Sequence, residues 1–190
     1  LSFQFRTLRA VFNRAIEENV VSKEKNPFEQ FKVSKFNTKT KKRALTKEDM
    51  MKIITTETIQ ATTLRTFTRD VFTFAYLCGG ISFVDMANLT LDNIYKERIR
   101  YIRQKTHGEI NLKLCDQAKE IIEKYISYRE KATYLFPILD ARLHKTPMQK
   151  KNRVRKVLAR INKELKVLAS ELEIKTDVTT YVAKHHTISI

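Results

Sequence analysis

A chain of 190 residues suits one ordinary domain or one and part of another, and 42% hydrophobic residues against 31% charged ones can build a core, which excludes a disordered tail. The 37 Lys and Arg against 21 Asp and Glu leave a formal charge of +16, a field that draws polyanions; nucleic acid is favoured over a membrane surface, because the basic residues are spread over several elements rather than gathered on one amphipathic anchor. No run is apolar and long enough to span a membrane and none at the start reads as a secretory signal. The two cysteines, Cys78 and Cys115, both in apolar settings, and four histidines without metal-ligand spacing make a disulfide framework or structural metal unexpected.

In chain order, residues 1–21 carry Phe5, Leu8, Phe12, Ala15 and Ile16 at helical spacing and predict an amphipathic helix ending before Asn26-Pro27. One helix cannot bury its own apolar stripe. Residues 1–31 are therefore expected to be the last helix of a small helical domain, and the start in LSFQFRTL, without an initiator Met, suggests a chain cut from something longer. From Lys32 to Arg43 there are six Lys or Arg and no acid, a self-repelling stretch that reads as a linker over residues 32–45, either a linker alone or one that also tracks a phosphate backbone through Lys41, Lys42 and Arg43.

Residues 46–190 form the next unit. Thr46 with Asp49 makes a capping pattern ahead of Met50, Ile53 and Ile54. A second helix with Leu64, Phe67, Val71, Phe74 and Cys78 in register stops at Gly79-Gly80, and Ser82 with Asp85 opens a short helix through Asn88. Ile99 and Tyr101, then Ile110, Leu112 and Leu114, alternate with polar residues and predict a β-hairpin over residues 98–114, its turn at Lys105-Thr106-His107-Gly108 with the glycine supplying the positive φ. Lys105 then projects from the tip beside Arg103 and His107, either as a solvated edge lysine or as one that reaches a phosphate.

Asp116 is placed to cap a helix holding Ala118, Ile121, Ile122, Tyr125 and Ile126 that runs to about residue 131. Thr146-Pro147-Met148-Gln149 is a complete helix start: cap, proline at the first position and a glutamine three residues after the cap. The helix it opens keeps Val154, Val157, Leu158, Ile161, Leu165 and Leu168 on one face. From Arg142 to Lys166 there are ten Lys or Arg and one acid, too lopsided for solubility alone, which points to a phosphate-contacting surface that includes Lys145, Lys150, Lys151 and Arg153. In the last segment, TTYVAKHHTISI, Tyr181 and Lys184 lie three apart at a helix start.

In this order, ISFVDMANLTLDNI, RQKTHGEINLKL, LFPIL followed by HKTPMQKKNRVRKVLARIN, and TTYVAKHH make the chain resemble the tyrosine recombinases of the phage-integrase family, in particular integrases of conjugative and integrated mobile elements. The resemblance covers nearly the whole chain. It implies a mainly α fold with a small antiparallel β-sheet or hairpin, the catalytic domain lacking its C-terminal nucleophile segment and preceded by the end of a core-binding domain. It also implies double-stranded DNA as partner, a homo-tetramer on paired sites, no membrane, no metal or other cofactor, and a bacterial cytoplasmic, nucleoid-associated location.

The family's chemistry is attack by a tyrosine hydroxyl on a phosphodiester, giving a 3′-phosphotyrosine, with arginines and a histidine holding the phosphorane and a hairpin lysine protonating the leaving oxygen. Lys105 matches that lysine. The first arginine is missing from CGGISFVD, where Ser82 stands, either as a phosphate contact or simply as a helix cap. Tyr181 takes the histidine position and Lys184 the second arginine position; lysine keeps the charge but lacks the bidentate fork, whether through decay, natural variation or engineering. His185 follows in an orienting role. No tyrosine of the chain is placed as the nucleophile, so the chain alone is expected not to complete cleavage. The contrasting reading is a non-catalytic DNA-binding relic or regulator; an RNA-binding protein ranks below both, for want of exposed aromatic platforms.

Overall fold

The computed structural model describes residues 2–32, 45–56, 63–127 and 133–183. The chain divides into two compact units, Leu1–Lys42 and Arg43–Ile190. In the first, helix α1 (Ser2–Glu17) stops four residues short of the expected end, and beyond it Asn19, at a φ of 58°, lets Val20 N–H return to the Ala15 carbonyl at 2.9 Å. The Asn26 side chain then accepts the Phe28 amide at 3.0 Å, and the turn so formed lays aromatic rings on α1: Phe12 meets Phe28 at 6.1 Å and Phe5 meets Phe31 at 5.3 Å between centroids. Phe3, Leu8 and Val11 remain exposed on the rest of the helix.

In the second unit, α2 (Lys47–Thr55) is followed by α3 (Thr63–Leu77), α4 (Phe83–Ala87), strands β1 (Ile94–Tyr95), β2 (Arg98–Ile102) and β3 (Glu109–Lys113), then α5 (Asp116–Ser127) and α6 (Pro147–Glu171). The three capping signals act as read. Thr46 Oγ1 accepts the Asp49 amide at 3.0 Å, Ser82 Oγ accepts that of Asp85 at 3.1 Å, and Thr146 and Gln149 satisfy each other reciprocally. Asp116 does not cap α5: the first turn closes on the Cys115 carbonyl, and the Asp116 carboxylate instead pairs with Lys119 at 2.8 Å. Cys115 is exposed rather than set among apolar groups, whereas Cys78 is buried, which pushes its thiol well above the ordinary range.

Helix α3 is central and packs against α2, α5 and α6, with Phe72, Phe74, Phe136, Ile161 and Leu165 fully buried around it. Arg65 staples α3 to α6 through Glu164 at 2.8 Å and Glu171 at 2.6 Å. The buried carboxylate of Asp70 is held by Tyr125 at 2.9 Å, Lys124 at 2.5 Å and Arg69 at 3.1 Å, so a charge that could not remain alone in the core is paired from two sides. The strands form an antiparallel sheet in the order β1-β2-β3, β1 being a short addition to the expected hairpin. Ile99 and Tyr101 are buried, Ile110 and Leu112 partly so, as the alternation requires.

The hairpin turn differs from expectation. It spans residues 103–108, closed by Arg103 N–H on the Gly108 carbonyl at 3.0 Å and His107 N–H on the Arg103 carbonyl at 2.9 Å. His107, not Gly108, takes the left-handed conformation, at φ 54°. A Cβ at Gly108 would meet only Thr106 Oγ1 at 3.8 Å, an ordinary contact. Histidine tolerates this region better than a branched residue, so the turn closes without a glycine at that position.

Candidate functional site

The site begins at the bend after α3. Gly79 and Gly80, at φ 65° and 75°, turn the chain so that Gly80 N–H reaches back to the Ala75 carbonyl at 2.8 Å, and Ser82 then starts α4. Ser82 Oγ accepts the Asp85 amide and its hydroxyl donates to Asp85 Oδ2 at 2.7 Å. The other carboxylate oxygen, Oδ1, accepts the backbone amide of Gln104 at 2.8 Å, across the molecule on the hairpin turn. Asp85 is 7% exposed. One buried carboxylate thus fastens the tip that carries Lys105 to the bend that carries Ser82.

Lys105 is exposed and forms no ion pair among the described residues. His107 is likewise exposed; Arg103 is half-buried. Tyr101, beneath them, is 7% exposed. Burial first, then the Asp85 charge, pushes its phenol above the ordinary value, while the charge and hydrogen bond of Arg103 oppose the shift.

Helix α6 provides the second surface. Its start docks beside α4 through Tyr134 and Leu135: Leu135 N–H donates to the Leu89 carbonyl at 2.7 Å, Lys150 Nζ lies 5.7 Å from the Tyr134 ring, and Arg153 Nε donates to the Ile138 carbonyl at 3.0 Å. Lys145 and Lys151 are exposed, as are Arg155, Lys156 and Arg160 further along. Arg153 therefore has one edge of its guanidinium engaged by the protein, and Lys150 is partly sheltered.

Farther along α6, Asn162 Oδ1 accepts the Thr180 amide at 3.0 Å and Lys166 pairs with Asp177 at 3.1 Å. These bonds hang the turn at residues 179–183 from the helix, with Val182 and Ala183 buried and Tyr181 63% exposed. Lys184, His185, Lys41, Lys42 and Arg43 lie outside the described residues. The structure joins Ser82 to the Lys105 tip and fixes Tyr181 independently, on α6. Asp85 was legible only as a capping partner, and neither Gln104 nor Asn162 carried a local signal. Among the described residues, no three of His, Cys, Asp and Glu are placed to hold a metal, and no helix is long and apolar enough to cross a membrane.

No protein-family profile matches the chain, and no curated protein does. Solved structures do. A lambda integrase fragment of residues 75–356, a dimer bound to a COC′ core site, is 18% identical with a TM-score of 0.66 over 96% of this chain. The Tn1549 transposon integrase, residues 82–397 in complex with circular intermediate DNA, is 16% identical with a TM-score of 0.55 over 95%. XerA recombinase is 14% identical with a TM-score of 0.50 over 91%. The chain spans 62% of the length of each of these. The fold is that of the tyrosine recombinase catalytic region, mostly helical with a small three-stranded antiparallel sheet.

Proposed function

We propose that the chain is the DNA-binding and partial catalytic region of a mobile-element integrase that cuts and rejoins duplex DNA through a 3′-phosphotyrosine. The observation that carries this reading is the Asp85 clamp: a buried carboxylate spent on holding a solvent-facing lysine tip at a fixed place, in a fold shared with integrases whose solved structures contain DNA. A tyrosine oxygen attacks phosphorus, the bond from phosphorus to the 5′ oxygen breaks, and Lys105 gives that oxygen a proton; rejoining runs the same steps backwards. Tyr181 and Lys184 complete the phosphate's surroundings, and His185 orients them. On this reading the attacking tyrosine is none of the six described: Tyr76, Tyr101, Tyr125 and Tyr134 are buried or half-buried, Tyr95 ends β1, and Tyr181 is assigned to the phosphate's surroundings.

Residues 1–31 belong, on this reading, to a core-binding domain, and the stretch from 32 to 45 crosses the DNA backbone with Lys41, Lys42 and Arg43. Lys145, Lys150, Lys151, Arg153, Arg103 and His107 meet phosphates from the catalytic unit. The working assembly is a homo-tetramer on paired sites, in the bacterial cytoplasm at the nucleoid. The decisive experiment offers the full-length gene product a nicked suicide duplex copied from the ends of the element that carries the gene. A covalent protein–DNA adduct is expected; its absence, with duplex binding intact, would leave the second reading, a non-catalytic DNA-binding relic. That second reading draws on the occupation of Ser82 by Asp85 and on the missing arginine in CGGISFVD.

A further inference from the structure

We propose that Arg103, on the turn between β2 and β3, supplies the guanidinium that grips the scissile phosphate, in place of the arginine missing from the bend before α4. The inference rests on the recombinase reading above and names the group that its chemistry otherwise lacks. Phosphoryl transfer to tyrosine builds negative charge on two non-bridging oxygens, and a planar fork of N–H donors is the side chain best shaped to hold both. Residues 78–85 contain no Arg or Lys. Ser82 is a poor substitute, since its hydroxyl accepts from the Asp85 amide and donates to the Asp85 carboxylate.

The geometry brings Arg103 to the same place. Asp85 lies 2.7 Å from Ser82 Oγ through one oxygen and 2.8 Å from the Gln104 amide through the other, and that amide nitrogen is bonded to the carbonyl carbon of Arg103. Residue 103 also continues the inward parity of Ile99 and Tyr101. Of residues 102–109, it alone is not exposed. The outward arginines of the same hairpin are occupied, Arg98 by Asn111 at 2.7 Å and Arg100 by Glu109 at 3.4 Å, whereas Arg103 forms no ion pair among the described residues. Arg103 also lies near enough to the Tyr101 hydroxyl for its charge to oppose the rise of that phenol. Its own amide and carbonyl are both used in closing the turn, so the backbone that carries it is fixed before any DNA arrives. Clamp and acid, two residues apart, then ride on one tip.

The test measures adduct formation at saturating protein on the nicked duplex described above, and equilibrium binding of that duplex against one with an uncharged methylphosphonate at the scissile position. Arg103→Ala is expected to slow adduct formation by about a hundredfold or more and to bind the neutral duplex as the parent does, losing only the preference for the charged one. Arg103→Lys should regain part of the rate, and adding Ser82→Arg to Arg103→Ala should restore about tenfold or more by returning a fork to the bend. The inference falls if Arg103→Ala forms adduct at the parental rate, or if it weakens binding of charged and neutral duplexes equally, which would make Arg103 a general backbone contact. Absence of adduct from the parent protein on a duplex it binds would overturn the recombinase reading and this inference together.

Discussion

Asp85 Oδ1 and the Gln104 amide meet at 2.8 Å although 19 residues separate them, and this bond ties the lysine tip to the start of α4. Asp85→Ala removes both acceptors, so the Ser82 hydroxyl and the Gln104 amide each lose a partner, at a cost of about 1–3 kcal/mol. Hydrogen exchange should register the loss first at the Gln104 amide. Unchanged protection there would mean that the clamp contributes nothing to the tip.

Lys105 is separable from the binding surface. Lys105→Ala in the full-length protein should abolish cleavage of an ordinary phosphodiester and leave duplex affinity within about twofold. A substrate whose 5′ leaving oxygen is replaced by sulfur needs no proton on departure and should be cleaved by the variant at near the parental rate. Failure of the sulfur substrate to rescue would remove the general-acid role.

On α6, stability and phosphate contact divide between neighbours. Lys151→Ala should leave stability unchanged and flatten the slope of log affinity against log salt by about 0.9. Arg153→Ala should add a stability loss of about 1 kcal/mol or more, because the Ile138 carbonyl, in a residue 1% exposed, loses its donor. Equal stability losses for the two variants would contradict the assignment.

Alkali should destabilise the fold early. Burial raises Cys78, Tyr101 and Tyr125 above their unfolded values, with the Asp70 carboxylate adding to the rise at Tyr125. For an acid raised in the native state, stability is complete below the unfolded value and is lost as pH climbs toward the native one. The decline should therefore begin near pH 8.5 for the thiol and near pH 10 for the phenols. Cys78→Ala should delay its onset and Tyr125→Phe should shallow its later part, read from denaturant midpoints across that range.

The features legible in advance are those whose physics is local. Thr46, Ser82 and Thr146 announce helix starts because a cap acts over three residues, and alternation at Ile99 and Tyr101 reports a half-buried strand. Asp85 shows where such reading stops: its capping role lies within four residues and is visible, while its hold on Gln104 depends on a long-range approach that no spacing encodes. Asn162 and Thr180 escaped for the same reason. The turn glycine misled because composition marks where a positive φ is cheap, not where the closing hydrogen bonds require it, and those bonds put it on His107.

The paired left-handed glycines at positions 79 and 80 also bear on how this chain can evolve. Any side chain entering either position meets a backbone that L residues adopt only at a penalty of about 1–2 kcal/mol. Drift can recolour the hairpin tip residue by residue, but the bend is a locked hinge in sequence space, so new chemistry reaches this corner more readily from the hairpin than from the bend.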